Sequence, residues 1–237
     1  MNTLISNSVP KEALILAGGR GTRLASVLPD TPKPIAPVKG RPFLSYIVDH
    51  LVLQGVERII ISTGYKADQV KETMKLAHPR LELFFSEERE PLGTGGGIVH
   101  ALPFIEQDNF IVLNGDTHFQ FSIADLCSLH LEKRADLTIA LKQVENAGRF
   151  GSVESIRNIV TGFNEKGRMG SGLINAGTYI VKRESLSSGG FPSSFSFESF
   201  LMPLWILTHR VACLPIEAPF LDLGVPEDYI RANDVLR

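Results

Sequence analysis

Two aspartates and two cations, each beside an apolar run, are the residues of this chain best suited to chemistry. Asp116 closes Val112-Leu113-Asn114-Gly115-Asp116, where a carboxylate past the end of a buried strand is poorly placed for packing and well placed for a metal or a ligand. Its other ordinary use there would be an Asx turn or a helix cap. Asp222 stands between apolar neighbours in Phe220-Leu221-Asp222-Leu223-Gly224, so it is expected to be partly buried and to need a cation or a hydrogen-bond partner. Arg23 follows Leu16-Ala17-Gly18-Gly19-Arg20-Gly21-Thr22, and Lys33 is flanked by Pro32 and Pro34. Glycines let backbone N–H groups come close to an anion, and two cations can grip one. Two carboxylates from distant strands, with phosphates between them, suit Mg²⁺, which binds through one or two carboxylates plus substrate phosphates.

Two common phosphate cradles fail on spacing. A dinucleotide fingerprint would need glycine at 24 after Gly19 and Gly21, but that position is Leu24. No Gly-Lys-Ser or Gly-Lys-Thr of a P-loop occurs. A second glycine cluster, Gly93-Thr94-Gly95-Gly96-Gly97, should weaken a helix start unless a ligand lies against that backbone. Glu88 and Glu90 precede it and could accept hydrogen bonds from a base, guanine or uracil, or be solvated surface charge. Glu165-Lys166 at a turn is an ordinary surface pair when read alone. His118 has no partner histidine at metal spacing and is read as structural.

The elements that must position these groups alternate. Apolar runs at 13–16, 57–62, 81–86, 109–113 and 137–141 read as buried strands, and 43–54, 67–77, 94–102 and 123–134 read as helices. Strands that are apolar throughout indicate a parallel sheet covered on both faces, with ligands beyond the strands' carboxyl ends. The fold class is therefore α/β: a Rossmann-like mixed, mostly parallel sheet flanked by helices. From about 142 the segments 151–156, 159–164 and 173–181 read as a smaller, more antiparallel β portion walling the site. Residues 187–196 are expected to form the most mobile loop. Phe197, Phe200, Leu201, Leu204 and Trp205 form a helical stripe for the core or for contact with a second copy. A strand at 211–216 and a helix from Pro226 end the chain. The whole is expected to be a single domain, with a nucleotide-binding half at about 11–141 and a sugar-phosphate-binding half at about 142–237.

Bulk composition sets limits. Hydrophobic content of 43% and charged content of 21% suit a globular protein, and a net charge of −2 argues against nucleic acid as a partner. Cys127 and Cys213 are too few for a disulfide framework or a metal cluster and are read as reduced core thiols. No apolar run approaches the ~20 residues that span a bilayer. Residues 1–9 lack the charge and apolar core of a secretory signal, so a cytoplasmic location with no membrane partner is expected.

Taken together, A-G-G-x-G-T-R-L, the following P-K-P, L-G-T-G-G, L-N-G-D and the late D-L-G resemble the signatures of the sugar-phosphate nucleotidyltransferases. The resemblance spans nearly the whole chain and implies joining of a nucleoside triphosphate to a sugar 1-phosphate with release of pyrophosphate. It implies that Leu16, Ala17, Gly18, Gly19, Gly21, Thr22, Arg23, Glu88, Gly93, Thr94 and Gly115 bind the nucleotide, and that Asp116 and Asp222 hold Mg²⁺. Phe163-x-Glu165-Lys166, Asn175-Ala176-Gly177 and Arg149-Phe150-Gly151 are similar to the family's sugar-phosphate elements, implying such roles for Gly151, Glu165, Lys166 and Asn175. Within the family the wording is most like the D-glycero-α-D-manno-heptose 1-phosphate guanylyltransferases, which favours GTP. N-acetylmuramate 1-phosphate uridylyltransferases and mannose or glucose 1-phosphate enzymes share similar loops, and a catalytically silent nucleotide-sugar sensor is a further alternative. No room is expected for the C-terminal β-helix domain of longer relatives.

The chemistry needs no general base. A phosphate monoester is already an oxyanion near neutral pH, its second pKa being about 6. Positioning and electrostatics should suffice, with Arg23 on the leaving pyrophosphate, Lys33 at the α-phosphate and Lys166 on the attacking phosphate.

Overall fold

The computed structural model describes residues 9–19, 21, 24, 27–164, 167, 170–187 and 189–236. In chain order its elements are β1 (Glu12–Ala17), β2 (Pro37–Val38), β3 (Arg41–Pro42), α1 (Phe43–Leu53), β4 (Arg58–Thr63), α2 (Ala67–Ala77) and β5 (Leu83–Glu87). There follow α3 (Gly93–Ala101), β6 (Asn109–Asn114), β7 (Thr117–Phe119), α4 (Ile123–Lys133), β8 (Leu137–Val144), β9 (Ser152–Ile156) and β10 (Ile159–Asn164). The rest is β11 (Gly172–Lys182), α5 (Arg183–Ser187), α6 (Met202–Thr208), β12 (Val211–Pro215), β13 (Phe220–Asp222) and α7 (Pro226–Val235).

Among the described residues the main sheet has nine strands in the order β5-β4-β1-β6-β11-β8-β12-β10-β9. β5, β4, β1 and β6 run parallel, and their uninterrupted apolar character has a direct cause. Ala13, Ile15, Ile59, Ile61, Ile111 and Leu113 point into one core, while Leu14, Ile60, Phe110 and Val112 point into a second core on the opposite face. A strand with apolar neighbours on both faces cannot alternate. β11 is antiparallel to both of its neighbours, β6 and β8, so it runs through the middle of the sheet, and β9 and β10 pair antiparallel at the edge. The sheet is thus more evenly mixed than the sequence pattern implied.

The helical stripe at 197–205 divides. Phe197, Leu201 and Trp205 are buried, but Phe200 and Leu204 are about 43% and 44% exposed. The cause is a π-helical turn over Phe197–Leu201, in which Leu201 N–H reaches back to the Ser196 carbonyl at 3.4 Å, ahead of the regular α6. The extra residue in that turn rotates the stripe. No described helix is long and apolar enough to cross a membrane.

Two histidines are held neutral by the fold. Burial lowers His118 to about 4, assisted by the charge of His50, and its ring lies edge-on to those of Tyr46 and His50 at 6.4 Å. Burial also lowers His130 to about 4, and its ring nitrogens lie 2.8 Å from Thr138 Oγ1 and 3.2 Å from Asn109 Oδ1. An unfolded histidine titrates near 6.5, so the unfolded chain takes up these protons first as pH falls. Folding stability should therefore fall between pH 6.5 and 4, by up to about 1.4 kcal/mol per pH unit for each ring, and level off below. Urea unfolding at pH 7 and 5 tests this, with a shallower dependence expected for His130→Gln; identical slopes would contradict the assignment.

Candidate active site

A cleft of about 550 Å³ opens beyond the carboxyl ends of β1, β4 and β6. Leu16, Ala17, Gly18, Gly19, Gly21, Glu88, Gly93, Thr94 and Gly115 all line it, together with Lys33 and Asp116. Gly64, Tyr65 and Arg89, which carried no sequence signal, line it as well. Thr22, Arg23, Glu165 and Lys166 lie outside the described residues.

Close approach explains three of the glycines. A Cβ on Gly115 would stand 2.7 Å from the Leu16 carbonyl, the same carbonyl that Gly115 N–H bonds at 2.8 Å to lock the ends of β6 and β1 together. A Cβ on Gly21, which has φ +62, would meet Lys33 Cβ at 2.8 Å, so the glycine admits the proline-flanked lysine. A Cβ on Gly18 would strike Glu88 Oε1 at 2.8 Å. Glu88 is not loose surface charge: its Oε1 accepts from Ser62 Oγ at 2.7 Å and its Oε2 from Leu92 N–H at 3.1 Å.

The charged centre is assembled by a two-stranded sheet. β13 pairs antiparallel with β7, setting Asp222 opposite Thr117, and Leu223 N–H donates to the Asp116 carbonyl at 2.9 Å. The carboxylates thus come from adjacent positions. Lys33, only 8% exposed, places Nζ 2.5 Å from Asp116 Oδ2. Arg149 Nη2 bonds Asp222 Oδ2 at 2.8 Å, and its Nη1 bonds Asp228 Oδ2 at 2.6 Å. A Cβ on Gly224 would lie 2.3 Å from Arg149 Nη2, so the glycine of D-L-G makes room for this fork. Burial first, and then the charge of Asp116, raise Asp222 above the usual carboxylate range, while Lys33 and Arg149 act in the opposite sense. The partner that the apolar flanks of Asp222 demanded is Arg149. The sequence marked its R-F-G segment by resemblance to a sugar-phosphate element, and the link to Asp222 was not legible.

This donor set fits a divalent cation. Two neighbouring carboxylates, one destabilised by the charge of the other, gain from positive charge between them, and Mg²⁺ asks for no more than one or two protein carboxylates. Among the described residues no group of three or more metal-ligating side chains occurs, so phosphate and water would complete such a shell. His118 is packed against Tyr46 and His50 and takes no part.

The second glycine cluster has a neighbour that the sequence did not reveal, although Gly93 and Thr94 also line the cleft. The chain's own segment 193–195 lies against Gly93, Gly95 and Gly96. A Cβ on Gly93 would meet the Phe195 carbonyl at 2.5 Å, one on Gly95 the Phe195 ring at 2.1 Å, and one on Gly96 the Ser193 carbonyl at 3.1 Å. The Phe195 carbonyl accepts from Gly95 and Gly96 N–H groups at 3.0 and 3.3 Å, and Phe195 N–H donates to the Leu92 carbonyl at 2.9 Å. Two donors at the start of α3, those of Gly95 and Gly96, are thus satisfied internally, and this end of the expected mobile loop is pinned. Asn175 and Gly151 do not line the cleft. Asn175 Oδ1 accepts from Gly177 N–H at 2.9 Å inside a bulge of β11, and Gly151, with φ +83, closes the 147–151 turn that carries Arg149.

Two substitutions check this geometry. Gly95→Ala should lower the unfolding free energy by about 1–3 kcal/mol by overpacking, with partial recovery when combined with Phe195→Leu in a double-mutant cycle. Strict additivity would show the contact to be unimportant. Arg149→Met should cost about 1–3 kcal/mol at pH 7 by leaving Asp222 and Asp228 without their cation, and less as pH falls and the Asp222 carboxyl, raised by burial, takes up a proton. A pH-independent cost would argue against that pairing.

With this geometry in place, likeness to known proteins becomes informative. The family model described as nucleotidyl transferase matches residues 12–236. The D-glycero-α-D-manno-heptose 1-phosphate guanylyltransferase of Aneurinibacillus thermoaerophilus is 37% identical over 95% of this chain and 98% of its own. The enzyme of the same name from Campylobacter jejuni is 39% identical over 92% and 96%. The crystal structure of HddC from Yersinia pseudotuberculosis, also solved in complex with GMP-PN, superposes with a TM-score of 0.86 at 38% identity over 95% of this chain and 99% of that one. A motif set spread from Gly18 to Asp222, a mixed sheet with its cleft beyond the parallel strands, and full-length likeness agree: the chain belongs to the nucleotidyl transferase family.

Proposed function

We propose that the chain transfers GMP from GTP to D-glycero-α-D-manno-heptose 1-phosphate, forming GDP-heptose and pyrophosphate. The observation that carries this reading is the near full-length identity of 37% and 39% to two relatives bearing that activity in their names. The charged cleft supports the reaction class. An oxygen of the sugar phosphate attacks the α-phosphorus of the triphosphate, the bond to the bridging oxygen breaks, and pyrophosphate leaves with that electron pair. The attacking oxygen is already deprotonated near neutral pH, so the reaction asks for no general base.

Lys33, held between two prolines against Gly21 and already paired with Asp116, is assigned to the charge at the α-phosphate. A Mg²⁺ held by Asp116 and Asp222 would neutralise phosphate charge there. Glu88 has both oxygens fixed by Ser62 and Leu92 and faces the cleft with lone pairs to spare, which suits the N1 and N2 donors of guanine. By their match to the family's motifs, Gly151, Asn175, Glu165 and Lys166 are assigned to the sugar phosphate, and Thr22 and Arg23 to the triphosphate. The half at about 11–141 thus serves the nucleotide and the half at about 142–237 the sugar phosphate, in the cytoplasm where GTP is made.

Pyrophosphate release measured for four nucleoside triphosphates against heptose, mannose, glucose and N-acetylmuramate 1-phosphates tests the assignment. GTP with the heptose phosphate should exceed every other pair at least tenfold in kcat/KM. Asp116→Asn should lower kcat by about 10²–10³ while leaving the melting temperature within a few degrees. Release from no pair would indicate a sensor; a faster uridine pair would redirect the reading to N-acetylmuramate.

A further inference from the structure

Ser62 occupies a position that packing alone would give to an apolar residue. It follows Ile59, Ile60 and Ile61 in β4 with 0% exposure, and a hydroxyl buried there costs stability unless it is bonded. Its partner is Glu88 Oε1, to which Ser62 Oγ donates at 2.7 Å. Glu88 is the first residue past β5, and its backbone is tied to the sheet, since its N–H donates to the Thr63 carbonyl at 2.7 Å. The second carboxylate oxygen, Oε2, accepts from Leu92 N–H at 3.1 Å. A merely solvated glutamate at the rim of a cleft needs none of this fixing.

Two glycines leave room for that carboxylate. A Cβ on Gly97 would lie 2.9 Å from Glu88 Oε1 and 3.5 Å from Ser62 Oγ, and one on Gly18 would lie 2.8 Å from the same Oε1. Gly97 is buried inside α3, and its φ is not in the left-handed region. Alanine is the better helix former at such a position, so the helix itself does not ask for glycine. Glu88 lines the cleft, whereas Ser62 and Gly97 stand behind it. A carboxylate offers about four acceptor sites, and the bonds from Ser62 and Leu92 leave accepting capacity on each oxygen. Two acceptors side by side match a base edge with two adjacent donors, the N1–H and N2–H of guanine. Uracil and hypoxanthine bring a single N–H to that edge, and adenine and cytosine bring a ring lone pair against the charge. Held at Oε2 alone, the carboxylate would turn about its terminal torsion, whose wells are broad, and only one oxygen would remain placed.

We propose that Ser62 and Gly97 are positioning residues for the choice of base. Ser62 holds Oε1 of Glu88, and Gly97 leaves the space in which that oxygen lies, so that both oxygens read the guanine edge together. The oxygen set by Ser62 is the one that separates guanine from a base with a single donor. The proposal deepens the reading above, in which guanine lies against Glu88, and rests on it.

The test compares kcat/KM for pyrophosphate release from GTP and from inosine triphosphate, which lacks only the 2-amino group, with D-glycero-α-D-manno-heptose 1-phosphate as acceptor. The wild-type chain should favour GTP at least tenfold, because a site built around an N–H penalises the analogue without it. Ser62→Ala should bring that ratio below threefold, chiefly through the KM for GTP. A merely structural role would weaken both nucleotides alike and leave the ratio where it was. Where the melting temperature shows that Ser62→Ala fails to fold, Gly97→Ala takes its place: its methyl displaces the same oxygen in a helix that alanine favours, and the same fall in ratio is expected. A ratio of threefold or more in the folded variant, or below tenfold in a wild type that uses GTP, overturns the proposal and leaves the assigned reaction intact. A wild type that releases no pyrophosphate from GTP, or that prefers UTP to it, overturns the assigned reaction, and the positioning roles with it.

Discussion

Two like charges must be held side by side in this molecule, and much of its architecture serves that requirement. Asp116 and Asp222 repel, and burial of Asp222 strengthens the repulsion. The chain supplies backbone pairing between β7 and β13 to bring them together, Lys33 and Arg149 to neutralise them, and Gly21 and Gly224 to give those cations room. Each of these parts comes from a different stretch of sequence. The site is therefore a tertiary property, and its residues form a unit only once the sheet has ordered.

How much of this could be read in advance followed from range. Asp116, Asp222, Lys33 and the glycines after β1 were legible because local pattern betrays them: a carboxylate beyond a buried run, glycines at a strand end, a lysine between prolines. The parallel strands were legible because two cores erase alternation along them. The central position of β11 was not, since an apolar strand carries no mark of the direction of its neighbours. Arg149 escaped because its partners lie more than seventy residues away in Asp222 and Asp228.

The cluster at 93–97 shows how a correct local inference can leave one occupant unnamed. Glycines there did signal a body lying close against the backbone. The body is Phe195 and its carbonyl, which cap α3 from the other half of the chain. Ligand and peptide present the same steric demand, and sequence alone does not distinguish them. The stripe at 197–205 was legible in part: Phe197, Leu201 and Trp205 enter the core, while Phe200 and Leu204 are exposed at and after a π-helical turn that a period of 3.6 residues does not anticipate.

The capping of α3 by Phe195 has a consequence for how such proteins can diversify. The loop that borders the nucleotide is completed by residues about one hundred positions later, and β11 from the later half is inserted between two strands of the earlier one. Neither half can be exchanged as a self-contained cassette. The earlier half alone would have a helix start with no cap and a sheet with a gap at its centre, and a chimera joined near residue 141 must match both contacts across the join. Changes of base and sugar preference are thus most easily made by substitutions within a shared frame.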